Sequence, residues 1–442
     1  MHDASPPSPY APPARGGGTK GFALLRTRRF LPLFVTQFLG ALNDNLFKNA
    51  MVVLALFQAG THGPVLVAAA GGVFILPFIL FASLAGELAD RYEKAHLLRL
   101  MKWWEVALMV LAAIGFLTGT ITGLMLVLFG LGIQATFFSP LKYGIMPDHL
   151  TVDEILAGNG YIEASTYVGI LLGTIAGAAL IRAPGGTIIV SAAGLAVALA
   201  GVAAAQAVPL SLPKGGPVPI GWNVPREIVR MVLYARTDAI IWRCVLYISW
   251  FWMIGLVLLT QFPVIAKDTL GGDASLVTLL LTGFTVGIGA GSMLCPLLLH
   301  GEVSARLTGW AALGISLFTW DFATAGPAAG AMGVTSVAAT LTHPAGWRLL
   351  FDLFAVSFCG GVFSVPLYAI VQERAAPNAR ARVIASINVM NAVFMVAASV
   401  IAGVLAAKGM SAPAILHLLA AVNLPLAIGL LLVRWRRLPH LP

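Results

Sequence analysis

Twelve long apolar runs constrain this chain more than any other feature of its sequence. Each run is long enough to cross a bilayer, which takes about 20 apolar residues in a helix. The runs lie at about 29–59, 65–86, 98–118, 122–146, 157–181, 187–208, 239–265, 275–300, 305–322, 347–371, 383–406 and 413–433. Only 10% of the residues are Asp, Glu, Lys or Arg, against about a quarter in a soluble globular protein. The sequence therefore predicts an all-α polytopic membrane protein and excludes an ordinary soluble enzyme.

The net charge of +9 reflects an uneven distribution of Lys and Arg along the chain. With the N-terminus placed in the cytoplasm, most of these residues, Lys102 among them, fall in tails and loops on the cytoplasmic side. Such an excess is typical of cytoplasmic loops, so both termini are predicted to be cytoplasmic and the protein multi-pass. The basic balance is thus topological and indicates no nucleic-acid partner, although it favours contact with anionic membrane lipid.

The spans divide into two groups of six around a proline-rich stretch. We expect residues 1–27 to be a disordered cytoplasmic tail and residues 28–208 to form an N-terminal six-helix half. Residues 209–238 are predicted to be a cytoplasmic linker with a short surface helix. A C-terminal six-helix half at 239–433 and a basic cytoplasmic tail at 434–442 complete the organisation.

An internal repeat supports this division. The predicted loop Gly86–Arg91 (GELADR) is echoed by Gly301–Arg306 (GEVSAR) at the equivalent place in the second half, although Ala305 replaces the acid. Pro140–Ile145 (PLKYGI) is likewise echoed by Pro366–Ile370 (PLYAI). Parallel halves of this kind predict the major facilitator fold, with 12 transmembrane helices in two six-helix halves and substrate bound between them near mid-membrane.

The first span holds the densest group of polar residues. Polar side chains inside a span are costly and are therefore candidates for function. The group consists of Gln37, Asn43, Asp44, Asn45, Lys48 and Asn49. Helical spacing places Gln37, Asp44 and Lys48 on one face and predicts an Asp44–Lys48 ion pair. A polar face with both charges suits a zwitterionic or hydroxylated headgroup, while a purely structural ion pair is the alternative.

Four further polar residues lie in other spans. Lys142 ends the fourth span and either binds substrate or extends to the membrane surface. Glu163, taken to lie one turn inside the fifth helix, is a binding candidate or a helix cap. Asn388 and Asn391 share a face of the eleventh span and either bind substrate or bond a neighbouring helix.

Other chemistries lack the residues that they require. Cys244, Cys295 and Cys359 lie in apolar runs without metal or disulfide spacing, and are interpreted as core residues. The sequence contains no arrangement typical of a catalytic triad or a metal site. We therefore expect a transporter that is not an enzyme and has no catalytic residue, metal or cofactor.

Several segments together resemble the bacterial lysophospholipid transporter family of the major facilitator superfamily. They are Thr36–Asn45 (TQFLGALNDN), Phe138–Ile145 (FSPLKYGI), Gly158–Thr166 (GNGYIEAST) and Val365–Arg374 (VPLYAIVQER). Separately, Gly86–Arg91 resembles the loop signature of the whole superfamily, which implies that Gly86, Asp90 and Arg91 help to gate the cytoplasmic face. An ordinary charged turn is the alternative reading.

The family resemblance implies inward flipping of lysophospholipids, chiefly lysophosphatidylethanolamine, across the bacterial inner membrane by alternating access. It also implies a cytoplasmic acyl-carrier-protein-dependent acyltransferase that restores the acyl chain. Because this sequence ends at Pro442, we expect that partner to be a separate protein. We also expect the transporter to be a monomer. Family members can carry a cation in the seventh span, but Gly255–Gln261 has none, so Lys48 or Lys142 would take the phosphate.

The residues and the resemblance together give one set of predicted substrate-binding residues. They are Gln37, Asn43, Asp44, Asn45, Lys48, Lys142, Glu163, Asn388 and Asn391. Asp44 or Glu163 could alternatively carry a proton. The rival functions are a major facilitator exporter of amphipathic drugs or siderophores, and a membrane enzyme that acts on lipid.

Overall fold

A computed structural model describes residues 21–58, 63–212, 221 and 223–432. In these ranges the chain is helical and has no strand. The helices are α1 Leu31–Gln58, α2 Gly63–Leu80, α3 Ala82–Arg91, α4 Lys94–Thr118, α5 Ile121–His149, α6 Val152–Arg182, α7 Gly186–Gln206, α8 Val224–Arg236, α9 Ala239–Val264, α10 Ala274–Leu298, α11 Thr308–Ala331, α12 Val337–Thr342, α13 Pro344–Arg374, α14 Arg380–Ala407 and α15 Ala412–Leu432. Residues 1–20, most of the predicted linker's proline-rich part (213–220 and 222) and the predicted tail 434–442 lie outside the described residues.

Nine of the helices in the described ranges are long and apolar enough to cross a membrane, and ten if α2 and α3 form one span bent by 48°. Pro77 lies one turn before that bend and lacks the N–H that a continuous helix would use. The polar helix α1 and α11, at 28 and 24 residues, are also long enough to span. The nine apolar helices, the bent α2–α3 span, α1 and α11 together give twelve spanning helices, which confirms the predicted fold class.

The helices on either side of α8 pack mainly within their own group. Before α8, α1 packs on α6 and α7, and α4 packs on α5 and α7. After α8, α13 packs on α10 and α11, α15 on α11, and α14 on α9. The two groups meet where α6 contacts α10 and where α14 contacts α3 and α5. We call this boundary the seam.

A row of glycines brings α6 unusually close to α1. A Cβ added at Gly173 or Gly177 would lie 2.2 Å from the carbonyl oxygen of Leu42 or Leu46 on α1. At Gly169 it would lie 2.9 Å from Ala41 Cβ and from a backbone oxygen. Small residues at such crossings let helix backbones approach closely in membranes, so α1 is held firmly where its polar residues lie.

Two local expectations from the sequence are wrong. Gly86–Arg91 is not a loop, because α3 continues through Arg91. Glu163 does not lie one turn inside its helix and is not a cap, because α6 already begins at Val152, where Thr151 and Glu154 form a capping box. Glu163 is therefore about three turns inside α6.

Candidate functional site

A buried acid and a buried base meet at the seam. Lys142 on α5 is 9% exposed and Glu163 on α6 is 1% exposed. Lys142 does not extend to the surface: its Nζ lies 4.7 Å from the centroid of the Tyr143 ring, with Glu163 as an electrostatic neighbour. Neither residue forms a salt bridge with any residue that the structure describes. The two charges therefore lie close together without neutralising each other by direct contact.

Aromatic side chains from both groups of helices surround this pair. The Tyr143 hydroxyl donates a hydrogen bond to Glu163 Oε1 at 3.4 Å, and the Tyr143 ring stacks on Tyr368 of α13 with centroids 4.6 Å apart. Trp252 of α9 donates from Nε1 to the Tyr368 hydroxyl at 3.1 Å, and its ring stacks with Tyr167 of α6 at 6.3 Å. We call Lys142, Glu163 and these four aromatic residues the seam site.

Of the two asparagines of α14, Asn388 bonds the opposite group of helices and Asn391 bonds its own group. Asn388 Oδ1 accepts a hydrogen bond from the Ser139 hydroxyl of α5 at 3.1 Å, and Asn391 Oδ1 accepts from the Ser249 hydroxyl of α9 at 2.8 Å. Asn388 Nδ2 is buried and has no partner in the part of the chain that the structure describes. A buried donor without a partner costs free energy, and it leaves Asn388 able to bind an acceptor.

The predicted residues of α1 divide between different neighbours. Gln37 Nε2 donates to Thr166 Oγ1 of α6 at 2.8 Å. Asn45 donates to the backbone oxygen of Ala41 at 2.8 Å, so its amide nitrogen is used within its own helix. Lys48 Nζ lies 6.0 Å from the ring centroid of Phe74 on α2. The structure therefore does not gather the α1 residues into one cluster.

The predicted ion pair between Asp44 and Lys48 is absent. Helical spacing allows such a pair, but the Lys48 ammonium lies against Phe74. Asp44 Oδ1 is buried and has no hydrogen-bond partner among the residues that the structure describes, and the charged neighbours of Asp44 are Glu105 and Lys102 as well as Lys48. Asp44 thus keeps an unpaired carboxylate oxygen.

A buried ion pair that was not expected from the sequence lies beside Asp44. Lys102 and Glu105 of α4 are both 0% exposed and form a salt bridge. Glu105 also accepts from Asn43 Nδ2 at 2.8 Å and from Gln134 Nε2 of α5 at 3.2 Å. The sequence analysis counted Lys102 among the cations of the cytoplasmic tails and loops. That expectation is wrong, because Lys102 is buried within α4. The signal that could have found the pair is its three-residue spacing at the start of an apolar run.

One end of the seam is closed by polar contacts around the start of α14. Asp90 of α3 accepts from the backbone N–H groups of Ala381 and Arg382 at 2.9 and 3.2 Å, and from Arg382 Nε at 3.0 Å. A carboxylate is favourable at the N-terminus of a helix. A Cβ on Gly86 would lie 2.9 Å from Arg382 Cα. Two of the predicted gating residues therefore contact the opposite group of helices, whereas the Arg91 guanidinium lies 5.4 Å from the centroid of the Tyr92 ring.

Further contacts close the same end. Asp148 at the end of α5 lies 3.3 Å from Lys94 Nζ and 3.6 Å from Arg380 NH1 of α14. Gln372 of α13 accepts from Asn159 Nδ2 at 2.6 Å and donates to the backbone oxygen of Tyr143 at 3.2 Å. We call this end, where α3, α5 and α13 finish and α6 and α14 begin, the closed end.

Comparisons with known proteins identify the family. The Major Facilitator Superfamily sequence profile matches residues 33–335. Lysophospholipid transporter LplT from Salmonella typhi is 30% identical over 357 residues, which cover 79% of this chain and 80% of that protein. LplT from Salmonella agona (strain SL483) gives the same identity and coverage.

Solved structures agree on the fold. The human organic anion transporter MFSD10 has a TM-score of 0.74 at 14% identity, covering 91% of this chain and 99% of that one. The E. coli fucose:proton symporter FucP has a TM-score of 0.64 at 14% identity, covering 91% and 98%. These likenesses concern the fold alone.

Proposed function

The chain belongs to the lysophospholipid transporter family of the major facilitator superfamily, and from that premise we propose that it moves lysophospholipids, chiefly lysophosphatidylethanolamine, inward across the bacterial inner membrane by alternating access. The observation that carries the proposal is the seam site. Lys142 and Glu163 are buried there without a direct salt bridge between them. Buried charges are normally paired, so this arrangement favours a ligand that brings both signs of charge.

A phosphoethanolamine headgroup has those two charges. Glu163 would attract the ammonium, and Lys142 would attract the phosphate that a seventh-span cation holds in other family members. Each contact is worth about 4 kcal/mol at about 4 Å in a partly screened site, before desolvation is subtracted. Asn388 adds an unpartnered amide donor that suits a phosphate or carbonyl oxygen.

Asp44 forms the second part of the proposed site. Its unpartnered Oδ1 lies near the buried Lys102–Glu105 salt bridge. Because these two residues bind each other, their charges stay in fixed positions near Asp44. With Gln37, Asn43, Asn45, Lys48 and Asn391, it provides hydrogen-bonding groups on both sides of the substrate path. The single acyl chain would lie along apolar walls between the helices.

The orientation follows from the basic residues and the family. We propose that the closed end is cytoplasmic and that Asp90 and Gly86 hold it shut until substrate has entered from the other side. Both termini would be cytoplasmic, the transporter would act as a monomer, and an acyl-carrier-protein-dependent acyltransferase would consume the delivered lysolipid.

The experiment is uptake of labelled lysophosphatidylethanolamine into proteoliposomes by paired variants. Glu163→Gln and Lys142→Met are expected to lower the initial rate at least tenfold, the equivalent of about 1.4 kcal/mol. The matched controls are Glu302→Gln and Lys267→Met, which change exposed residues away from the seam. Equal rates in the seam variants and their controls would contradict the proposed site.

A further inference from the structure

Tyr143 lies between the proposed headgroup site and the contacts that hold the two groups of helices together. Its hydroxyl donates to Glu163, its ring stacks on Tyr368, and its backbone oxygen accepts from Gln372. Glu163 belongs to the same group of helices as Tyr143, whereas Tyr368 and Gln372 belong to the other. Among the residues that the structure describes, Tyr143 is the one that hydrogen-bonds Glu163 and also contacts the opposite group.

We propose that Tyr143 couples occupation of Glu163 by a cationic headgroup to separation of the closed end. This inference rests on the proposed function, because it takes the substrate's ammonium as the cation. It assigns Tyr143 a positioning role, acting through Glu163 and Tyr368 rather than through the lipid itself.

The first step is competition at Glu163. Tyr143 donates the one hydrogen bond to this carboxylate among the described residues, and at 3.4 Å that bond is long. An ammonium adds the attraction of a full opposite charge to its hydrogen bond with a carboxylate, whereas the Tyr143 hydroxyl is a neutral donor. A headgroup with a cation would therefore displace the Tyr143 hydroxyl, whereas an uncharged glycerol headgroup would compete less strongly.

The second step is loss of support for the ring stack. The Tyr143 and Tyr368 rings are nearly parallel, with 9° between their planes and 4.6 Å between their centroids. The Glu163 bond and the Gln372 bond hold Tyr143 in this position from its two ends. Because aromatic stacking depends on geometry, freeing the hydroxyl weakens a contact that spans the seam.

The third step is propagation to the closed end. Gln372 also accepts from Asn159 of α6, so movement of the Tyr143 backbone disturbs a second contact across the seam. Lys142 precedes Tyr143 and lies over its ring. A phosphate that draws the Lys142 ammonium away removes another restraint on the same ring.

The test measures opening directly, with spin labels on Tyr92→Cys and Asn378→Cys, two exposed positions on opposite sides of the closed end. The label pair is placed in the full chain with Cys359 replaced by Ala, since Cys244 and Cys295 are buried. Distances are recorded in nanodiscs, with and without lysophosphatidylethanolamine. The variant is Tyr143→Phe, which keeps the ring and removes the hydroxyl. The matched control is Tyr234→Phe on α8, an exposed residue whose ring stays beside Arg382.

Without ligand, Tyr143→Phe is expected to raise the ratio of open to closed protein about fivefold over wild type, the effect of one modest hydrogen bond. Lysophosphatidylethanolamine should bind this variant up to about fivefold more tightly, because nothing competes for Glu163, while opening it further by a smaller factor than in wild type. A merely structural role for the hydroxyl predicts weaker binding. Tyr234→Phe should match wild type in both measurements.

Two outcomes would overturn different claims. If Tyr143→Phe has the wild-type distance distribution and the full wild-type response to lipid, the coupling role is wrong. If Tyr143→Phe opens the closed end but wild type neither binds nor responds to lysophosphatidylethanolamine, the proposed substrate is wrong while the link between Tyr143 and the closed end stands. Weaker binding by Tyr143→Phe would also contradict the competition step.

Discussion

Replacing Lys102 by Met is expected to destabilise the protein by about 3–5 kcal/mol, because it leaves a buried carboxylate without its cation. Both side chains of the Lys102–Glu105 pair are 0% exposed, so solvent cannot substitute for the lost ammonium. Of its partners in the described part of the chain, Glu105 would keep the amide donors of Asn43 and Gln134, at 2.8 and 3.2 Å. Two hydrogen bonds from neutral amide donors offset only part of the desolvation of a carboxylate.

The assay is the free energy of unfolding, from a titration with sodium dodecyl sulfate in mixed micelles. The double variant Lys102→Met with Glu105→Gln should recover at least half of the loss, because it removes both charges. Arg306→Met is the control: its partner Glu302 is 55% exposed and the pair lies at the surface, so the expected loss is below about 1 kcal/mol. A loss below 1 kcal/mol for Lys102→Met, or a double variant no more stable than the single one, would refute the reasoning.

The remaining predictions concern close packing, the closed end and the seam. Gly173→Ala should lower the unfolding free energy by about 1–3 kcal/mol, because its Cβ would lie 2.2 Å from Leu42 O. Gly255→Ala is the control and should not lower the unfolding free energy, because the space around Gly255 is open. Equal effects of the two substitutions would contradict the packing account. Asp90→Ala should raise the open fraction of the closed end several-fold in the spin-label assay, since it removes a helix cap worth about 1 kcal/mol and an ion pair; an unchanged distance distribution would contradict this. Asn388→Leu should lower the transport rate more than Asn423→Leu does, because the unpartnered amide of Asn388 binds substrate. A loss of stability without a loss of transport in Asn388→Leu would contradict this role.

Much of the fold could be predicted from the sequence, because apolar runs of spanning length have few alternatives in a membrane. The repeat of Gly86–Arg91 at Gly301–Arg306 indicated two equivalent halves, although the two copies differ locally: the first lies in α3, whereas the second lies outside any helix between α10 and α11. The errors came at helix ends. Thr151 and Glu154 extend α6 beyond its apolar run, and α3 carries polar residues that looked like a loop.

The site was harder to predict, because it depends on which helices meet. Spacing alone allowed Asp44 to pair with Lys48, but the Lys48 ammonium lies 6.0 Å from the ring centroid of Phe74 on α2 and forms no salt bridge with Asp44. Tyr167 and Trp252 were not predicted because aromatic residues in apolar runs usually belong to the core. Tyr143 and Tyr368 lie in the repeated segments Pro140–Ile145 and Pro366–Ile370, and that repeat is the signal that could have found them. The sequence singled out Lys142, Glu163, Asn388 and Asn391 because polar residues inside spans are costly. The structure places the first three at the seam, and their role in binding stays a prediction.

The most direct test of the central claim is entry of labelled lysophosphatidylethanolamine into proteoliposomes that contain wild type, Asp44→Asn or the exposed control Asp268→Asn. The account predicts uptake by wild type and by Asp268→Asn, and loss of uptake by a correctly folded Asp44→Asn. Wild-type rates in Asp44→Asn would contradict the assignment of the α1 carboxylate. No uptake by any of the three would contradict lysophospholipid transport itself and favour an exporter of other amphipathic compounds.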